Sequence, residues 1–349
     1  MRVAFLGTDS EGGTFNDAMQ DALSHHPLVS HVDFEWTSPR WGKEVVPAVG
    51  KDYIYQNLSS YDLIFMDHHR PQDTTVTVES LLDAQNLWKR VIIYDVCDPS
   101  EFRFDQSRIG KCLLYLKRAW ADDCIPKQYN NIIPIDTSLL DAYLDVVPVD
   151  YYHYRDLTVT CTLPQAMRGN ARDRIVDYVK YHHWPRLPGM VGFTQVTLFY
   201  TSGWVMSSAA INYRFPRNYP DPQMNWWYVY MHMLRRTQIL FTGMTHGAPG
   251  DHRMWEAFSS KALIVTDRVR SDMPNPPIAG KHFIPFDLND PEKSLKEAEE
   301  LLVDTKTREA IAQAGFDHAC KYHSSKARVE YIMNEIVRRQ NGANSQRPA

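Results

Sequence analysis

The chain has 349 residues, 44% of them hydrophobic and 12% aromatic, and a formal net charge of −4. That length exceeds one ordinary core and predicts two domains of about 150 to 180 residues, while the apolar content excludes disorder outside the polar end at 341–349. A slightly acidic balance, with a pI near 6.4, excludes a generally basic nucleic-acid or lipid-surface binder and leaves room only for a local basic groove.

In chain order, residues 2–7 form an apolar run ending in Gly7, a predicted strand too short for a signal-peptide core or a membrane span. The pair Gly12 and Gly13 follows, and then a helical stripe over 15–23. Continuous apolar strands are predicted at 63–66, 91–94 and 132–135, separated by helical or loop segments such as 78–88, the pattern of a parallel sheet covered on both faces. These elements make a first domain of residues 1–150. A Pro/Asp/Tyr-rich stretch at 147–156 leads into a second domain, 151–323, with strands at 157–161 and 195–200 and helices over 171–181 and 225–235. The aromatic run at 226–230 is read as helix packing rather than a base-stacking platform, because Trp227, Tyr230, Met231 and Leu234 share one helical face. A final helix over 324–339, ending at Gly342, is expected to return to the first domain as the segment 324–340, with 341–349 a flexible tail. Five scattered cysteines without CxxC spacing fit reduced thiols and a cytoplasmic protein better than disulfides or a zinc site.

Residues 236–267 carry the most information. An apolar strand at 239–241, a glycine-punctuated loop containing Gly243, His246, Gly247 and Gly250, a helix start with Arg253 and Glu256, and an apolar strand at 262–266 make a βαβ crossover. A helix N-terminus behind a glycine-rich loop, with an arginine in its first turns, suits a phosphate. Glu256 suits sugar hydroxyls, and together they point to a nucleotide sugar. The opening around Gly7 and Gly13 matches neither GxGxxG nor the P-loop, which removes the main support for a dehydrogenase or a kinase. His68, His69, Asp95 and Asp98 follow first-domain strands, where carboxyl-end loops meet ligands. They are the candidate catalytic groups, although a hydrated loop and an Asx turn before Pro99 account for them equally.

The segment 253–258, the strand after it, and the stretches 308–312 and 323–328 resemble group-1 glycosyltransferases, closest to a branch similar to spore-maturation glycosyltransferases. Strand 156–160 with Arg172 resembles the start of that family's donor domain, and Gly12 with Gly13 its acceptor-domain glycine pair. The resemblance implies the GT-B fold: α/β, two Rossmann-like domains facing a cleft. It also implies a metal-independent, cofactor-free transfer of a sugar from a nucleotide-diphosphate donor to a hydroxyl acceptor, with retention favoured. Carried over by position, Glu256 meets the donor ribose and Arg253 the diphosphate. Because charge develops on the departing diphosphate, Arg172 and Lys261 are further candidate cations, and Gly12, Gly13, Gly243, His246 and Gly247 complete the candidate donor set. Many relatives have a second glutamate eight residues before the first, and Ala248 stands there in this chain. The partners expected are the nucleotide sugar and a glycan, with no membrane span. Two alternatives stay open, a hydroxymethylated DNA base as acceptor and a noncatalytic nucleotide-sugar-binding protein.

Overall fold

A computed structural model describes residues 1–7, 13–36, 47–68, 72–95, 106–118, 129–136, 138–140, 143–144, 155, 157–161, 231, 234–243, 252–267, 269 and 274–345. The chain divides into two compact units, one of residues 1–140 with 323–349 and one of residues 141–322.

The first unit is a six-stranded, wholly parallel sheet. Its strands are β1 (Arg2–Leu6), β2 (His31–Phe34), β3 (Leu63–Asp67), β4 (Val91–Asp95), β5 (Leu114–Lys117) and β6 (Ile132–Pro134), in spatial order β2-β1-β3-β4-β5-β6. The order reverses between β1 and β3. That is the topological switch point, where a doubly wound sheet opens a crevice at the carboxyl ends of its strands. Helices α1 (Gly13–Ala22), α2 (Lys51–Gln56), α3 (Gln72–Ala84) and α4 (Gln106–Lys111) lie between the strands in the chain. Strand residues alternate between two cores. Phe5, Phe65, Ile92, Tyr94 and Leu116 face one, and Ala4, Ile64, Met66, Ile93 and Tyr115 the other. The first core stacks Phe5 against Tyr94 and Phe65 at centroid separations of 5.2 and 5.9 Å.

The sequence reading misses β2 and β5. Both are four residues long and carry polar side chains, Asp33 in one and Lys117 in the other, so neither reads as a continuous apolar run. Each polar group is matched inside the fold: Tyr61 donates to Asp33 at 2.8 Å and Lys117 pairs with Asp95 at 2.8 Å.

In the second unit β7 (Leu157–Cys161), β8 (Thr237–Phe241), β9 (Leu263–Thr266) and β10 (Ile284–Pro285) form a parallel sheet in the order β10-β9-β8-β7. Helix α5 (His252–Ser259) joins β8 to β9, and α6 (Pro291–Val303) and α7 (Thr305–His323) follow β10. Asp290 caps α6 by accepting from the Lys293 amide at 3.2 Å, with Pro291 in its first turn, and the Asp304 side chain accepts from the Thr307 amide of α7 at 3.1 Å. Leu295, Ala298, Leu301 and Ala312 close the core over Val159, Ile239, Phe241, Leu263 and Val265. Arg155 anchors the edge of this sheet, donating to the carbonyls of Arg235, Thr237 and Ser260 at 2.7–2.9 Å. Burial, followed by the charge of Arg308, lowers its guanidinium to about 10.

The last helix, α8 (Ser325–Ser345), belongs to the first unit and buries Val329, Ile332, Met333 and Ile336 in the Phe5 core. It runs through Gly342, which the sequence reading takes as its end. One glycine costs a helix only about 1 kcal/mol relative to alanine and does not stop it alone. The expected strand at 195–200, the helix over 171–181 and most of that over 225–235 lie outside the described residues, although residues 231 and 234–236 are helical.

Candidate functional site

Two groups of side chains occupy the carboxyl ends of the strands, one in each unit.

In the second unit β8 continues its ladder one residue past Phe241, the Thr242 amide donating to Val265 at 2.9 Å, and the buried Gly243 follows. The Thr242 hydroxyl is 1% exposed and finds no hydrogen-bond partner among the described residues. Helix α5 then runs back along the sheet. Met254, Trp255, Ala257 and Phe258 bury it on most of its surface, with Trp255 and Phe258 rings 5.8 Å apart, and Glu256 is 1% exposed among them. Arg253 stands half-buried one turn earlier on the same face. A carboxylate buried to this degree costs several kcal/mol unless hydrogen bonds or charges compensate it.

Lys261 is removed from the set of phosphate cations. It follows the last turn of α5, in the left-handed conformation at φ 55°, with its ammonium 4.8 Å from the Phe316 ring centroid. Eight helical residues rise about 12 Å, which puts Lys261 at the amino end of β9, away from the helix N-terminus where the sequence reading expects the phosphate.

In the first unit the switch point is bordered by Gly7 after β1 and His68 after β3. A Cβ on Gly7 would stand 2.8 Å from the Tyr94 hydroxyl and 2.9 Å from Phe5, so only glycine fits where the chain leaves β1. Tyr94 donates to the Asn16 side chain at 3.0 Å below it. Gly13 opens α1.

His68 is half-buried, and its amide donates to Tyr94 at 3.0 Å. Its Nδ1 lies 3.4 Å from Arg108 Nη1 of α4 and 3.4 Å from the Tyr115 hydroxyl of β5. Arg108 Nε in turn pairs with Glu79 of α3 at 2.6 Å. Tyr115 donates to Asp95 Oδ2 at 2.9 Å, and Lys117 Nζ reaches the same oxygen at 2.8 Å. Register explains the convergence: Asp95 pairs with Lys117 across β4 and β5, and Tyr115 stands two residues before Lys117 on the same face. Asp95 and Lys117 are each 1% exposed. Burial first, and then the Asp95 charge, push the Tyr115 phenol far above its ordinary range, so it remains a donor.

Of the residues expected from sequence, the structure joins His68 and Asp95 in one network through Tyr115. Gly12, His69, Asp98, Arg172, His246, Gly247 and Ala248 lie outside the described residues. Glu79, Arg108, Tyr115, Lys117 and Thr242 are not found from sequence. Lys117 offers the one usable signal, a charged residue closing a short apolar run. Among the described residues, no three His, Cys, Asp or Glu side chains are grouped to hold a metal, and no helix is long and apolar enough to cross a membrane.

The fold is that of the GT-B glycosyltransferases. A T4 alpha-glucosyltransferase in complex with UDP and a 13-mer DNA containing an HMU base superposes with a TM-score of 0.57 at 12% identity, covering 97% of this chain and 99% of that one. The alpha-glucosyltransferase with UDP-glucose and DNA containing an abasic site gives 0.60 at 11% identity, covering 97% and 99%. Anabaena HepE in complex with UDP gives 0.53 at 12% identity, covering 97% and 100%. Within this class, residues 210–334 match a family model described as Glycosyl transferase-like, a segment that contains β8, α5 and Glu256. No curated protein sequence matches the chain.

Proposed function

We propose that this chain is a glycosyltransferase that takes a UDP-sugar on its second unit and passes the sugar to a hydroxyl group of a glycan acceptor. The observation that carries the reading is Glu256, a buried carboxylate on the helix after β8, inside the segment that matches the glycosyltransferase family. Two adjacent ribose hydroxyls are donors, and an ionised carboxylate accepts from both. The choice of UDP follows from the neighbours of the same fold, whose structures hold UDP or UDP-glucose.

Departure of the diphosphate places negative charge on its oxygens and positive charge on the anomeric carbon. Preorganised cations and helix-end amides lower that barrier. Arg253, which precedes Glu256 by one turn, and Arg172 meet the diphosphate, and Gly243, His246 and Gly247 let backbone approach it; Gly12 and Gly13 give a ligand of the first unit the same close backbone approach. These groups take the charge that a metal would otherwise neutralise, so the reaction needs neither metal nor cofactor. A retaining course uses the donor phosphate as the base for the incoming hydroxyl. His68, His69 and Asp98 are the groups this reading assigns to the acceptor, and the buried Asp95 acts through Tyr115 and Lys117 rather than by contact. The protein works in the cytoplasm, consistent with cysteines that show no paired spacing.

A hydroxymethylated base in DNA is the second reading of the acceptor, motivated by the DNA-bound neighbours. Release of UDP from UDP-glucose, followed with and without a glycan panel in metal-free buffer, tests the proposal. Glycan-stimulated release supports it. Stimulation by hydroxymethylated DNA alone, lost as salt rises, replaces the acceptor. No release from any UDP-sugar by the folded protein returns the chain to a noncatalytic binding role.

A further inference from the structure

We infer that Thr242 is a donor-site residue: its buried hydroxyl, at the carboxyl end of β8, donates a hydrogen bond to a diphosphate oxygen of the nucleotide sugar at the start of α5. The role toward the nucleotide rests on the glycosyltransferase reading; the placement and bonding of the hydroxyl in the free chain do not.

Side chains alternate along a strand, and the register fixes which way Thr242 points. Phe241 lies beside Val265, and both enter the core that α6 and α7 close. Thr242, one residue on, therefore takes the other face of the sheet. Helix α5 returns over that face: its buried residues Met254, Trp255, Ala257 and Phe258 stand outside the core closed by α6 and α7. The crossover from β8 to β9 sets the first turn of α5 at the same carboxyl end as Thr242. The hydroxyl thus belongs to the end of the sheet where helix amides and the half-buried Arg253 suit an anion.

In the free chain the backbone of Thr242 is settled and its side chain is not. The amide donates to the Val265 carbonyl at 2.9 Å. The side-chain oxygen is closed to water and meets neither donor nor acceptor among the described residues. Buried hydroxyls at the other end of α5 are served by the fold: Ser259 donates to the Glu256 carbonyl and Ser260 to the Ala257 carbonyl, both at 2.6 Å. A hydroxyl that has left water and gained no partner opposes folding. Packing alone therefore favours valine at 242, which has the same branched shape without that penalty. A diphosphate oxygen supplies the missing acceptor, and a bond to a charged oxygen is stronger than one to a neutral group. Gly243, next in the chain, has no side chain to stand between the hydroxyl and a ligand. As the sugar departs and charge grows on the diphosphate, the hydroxyl is one of the preorganised donors that receive it.

Calorimetric titration of the full chain with UDP in metal-free buffer, beside melting temperatures without ligand, tests the assignment. Thr242→Val removes the hydroxyl and keeps the shape. Its unliganded melting temperature is expected to equal or exceed that of the wild type, because an unpaired polar group has gone. Its Kd for UDP is expected to rise about ten- to a hundredfold, the loss of one hydrogen bond to a charged acceptor. Thr242→Ser loses only the methyl group and keeps most of the wild-type affinity. Uridine, which has no phosphate, binds the wild type and Thr242→Val alike. An unchanged Kd for UDP in Thr242→Val, an equal loss in Thr242→Ser, or an equal loss for uridine overturns the inference and leaves the glycosyltransferase reading standing. A lower unliganded melting temperature in Thr242→Val does the same, because the hydroxyl is then bonded within the fold. A folded wild type that binds neither UDP nor UDP-glucose contradicts the glycosyltransferase reading, and the inference with it.

Discussion

Lys117 and Asp95 show what single residues do in this fold. Both are 1% exposed, so each charge has left water, and they pair at 2.8 Å. Lys117→Met is expected to destabilise the first unit by about 3–5 kcal/mol in denaturant unfolding, because it removes the positive charge paired with the buried Asp95, whereas Lys117→Met combined with Asp95→Leu restores most of that loss. A double variant as unstable as the single one would contradict the pairing. His282 carries a pH signature. Its ring stacks on His318 at 4.1 Å, its Nδ1 accepts from the Ile278 amide at 3.0 Å, and burial, then the neighbouring His318 and Lys281, lower it to about 4. An unfolded histidine takes its proton near pH 6.5. Between about 6.5 and 4 the unfolded chain therefore binds the proton and the folded one does not, so stability is complete above that window and is lost as pH falls through it. Melting temperatures measured from pH 7 to 4 should fall less steeply in His282→Gln than in the wild type. Residue roles were only partly legible in the sequence. Glu256 stands out because a family resemblance marks it, whereas Tyr115 and Arg108 acquire their meaning from a strand register and a helix that bring residues 68, 95, 108 and 115 together.

At the scale of elements, helix α7 approaches α5 and β10 at Gly315. A Cβ there would overlap the His282 carbonyl oxygen and lie 2.9 Å from the buried Phe258 ring. Gly315→Ala is expected to cost about 1–3 kcal/mol through overpacking, seen as a lower melting temperature; an unchanged or raised value would mean that the helix moves aside freely. Strands β1, β3, β4 and β6 are legible because their side chains face cores on both sides of the sheet and produce unbroken apolar runs. Strands β2 and β5 are not, because a buried polar partner such as Tyr61 or Asp95 permits a charge inside a strand, and no local pattern announces a partner about thirty residues away in one case and about twenty in the other. The end of α8 is misread for the opposite reason: glycine is a local signal, and in this helix it is overridden.

For the whole molecule, the GT-B class is legible from the segment around α5 and the final helices, and the solved neighbours extend it over 97% of the chain. Substrate identity is not legible, because it depends on loop side chains contributed by residues far apart in sequence. The chain's last helix is part of its first unit's core, so Ile332→Ala, at a fully buried position, should cost about 2–5 kcal/mol, and Asn334→Ala on the exposed face less than about 0.5 kcal/mol; similar losses from the two would contradict that packing. The central claim is that the second unit binds a UDP-sugar through Glu256. Its most direct test is the melting temperature of the wild type and of Glu256→Ala with UDP-glucose, in metal-free buffer. At a hundred times its dissociation constant the donor adds about 2.7 kcal/mol to stability. The account predicts a raised melting temperature for the wild type and none for Glu256→Ala folded to the same degree; equal stabilisation of both proteins would contradict it.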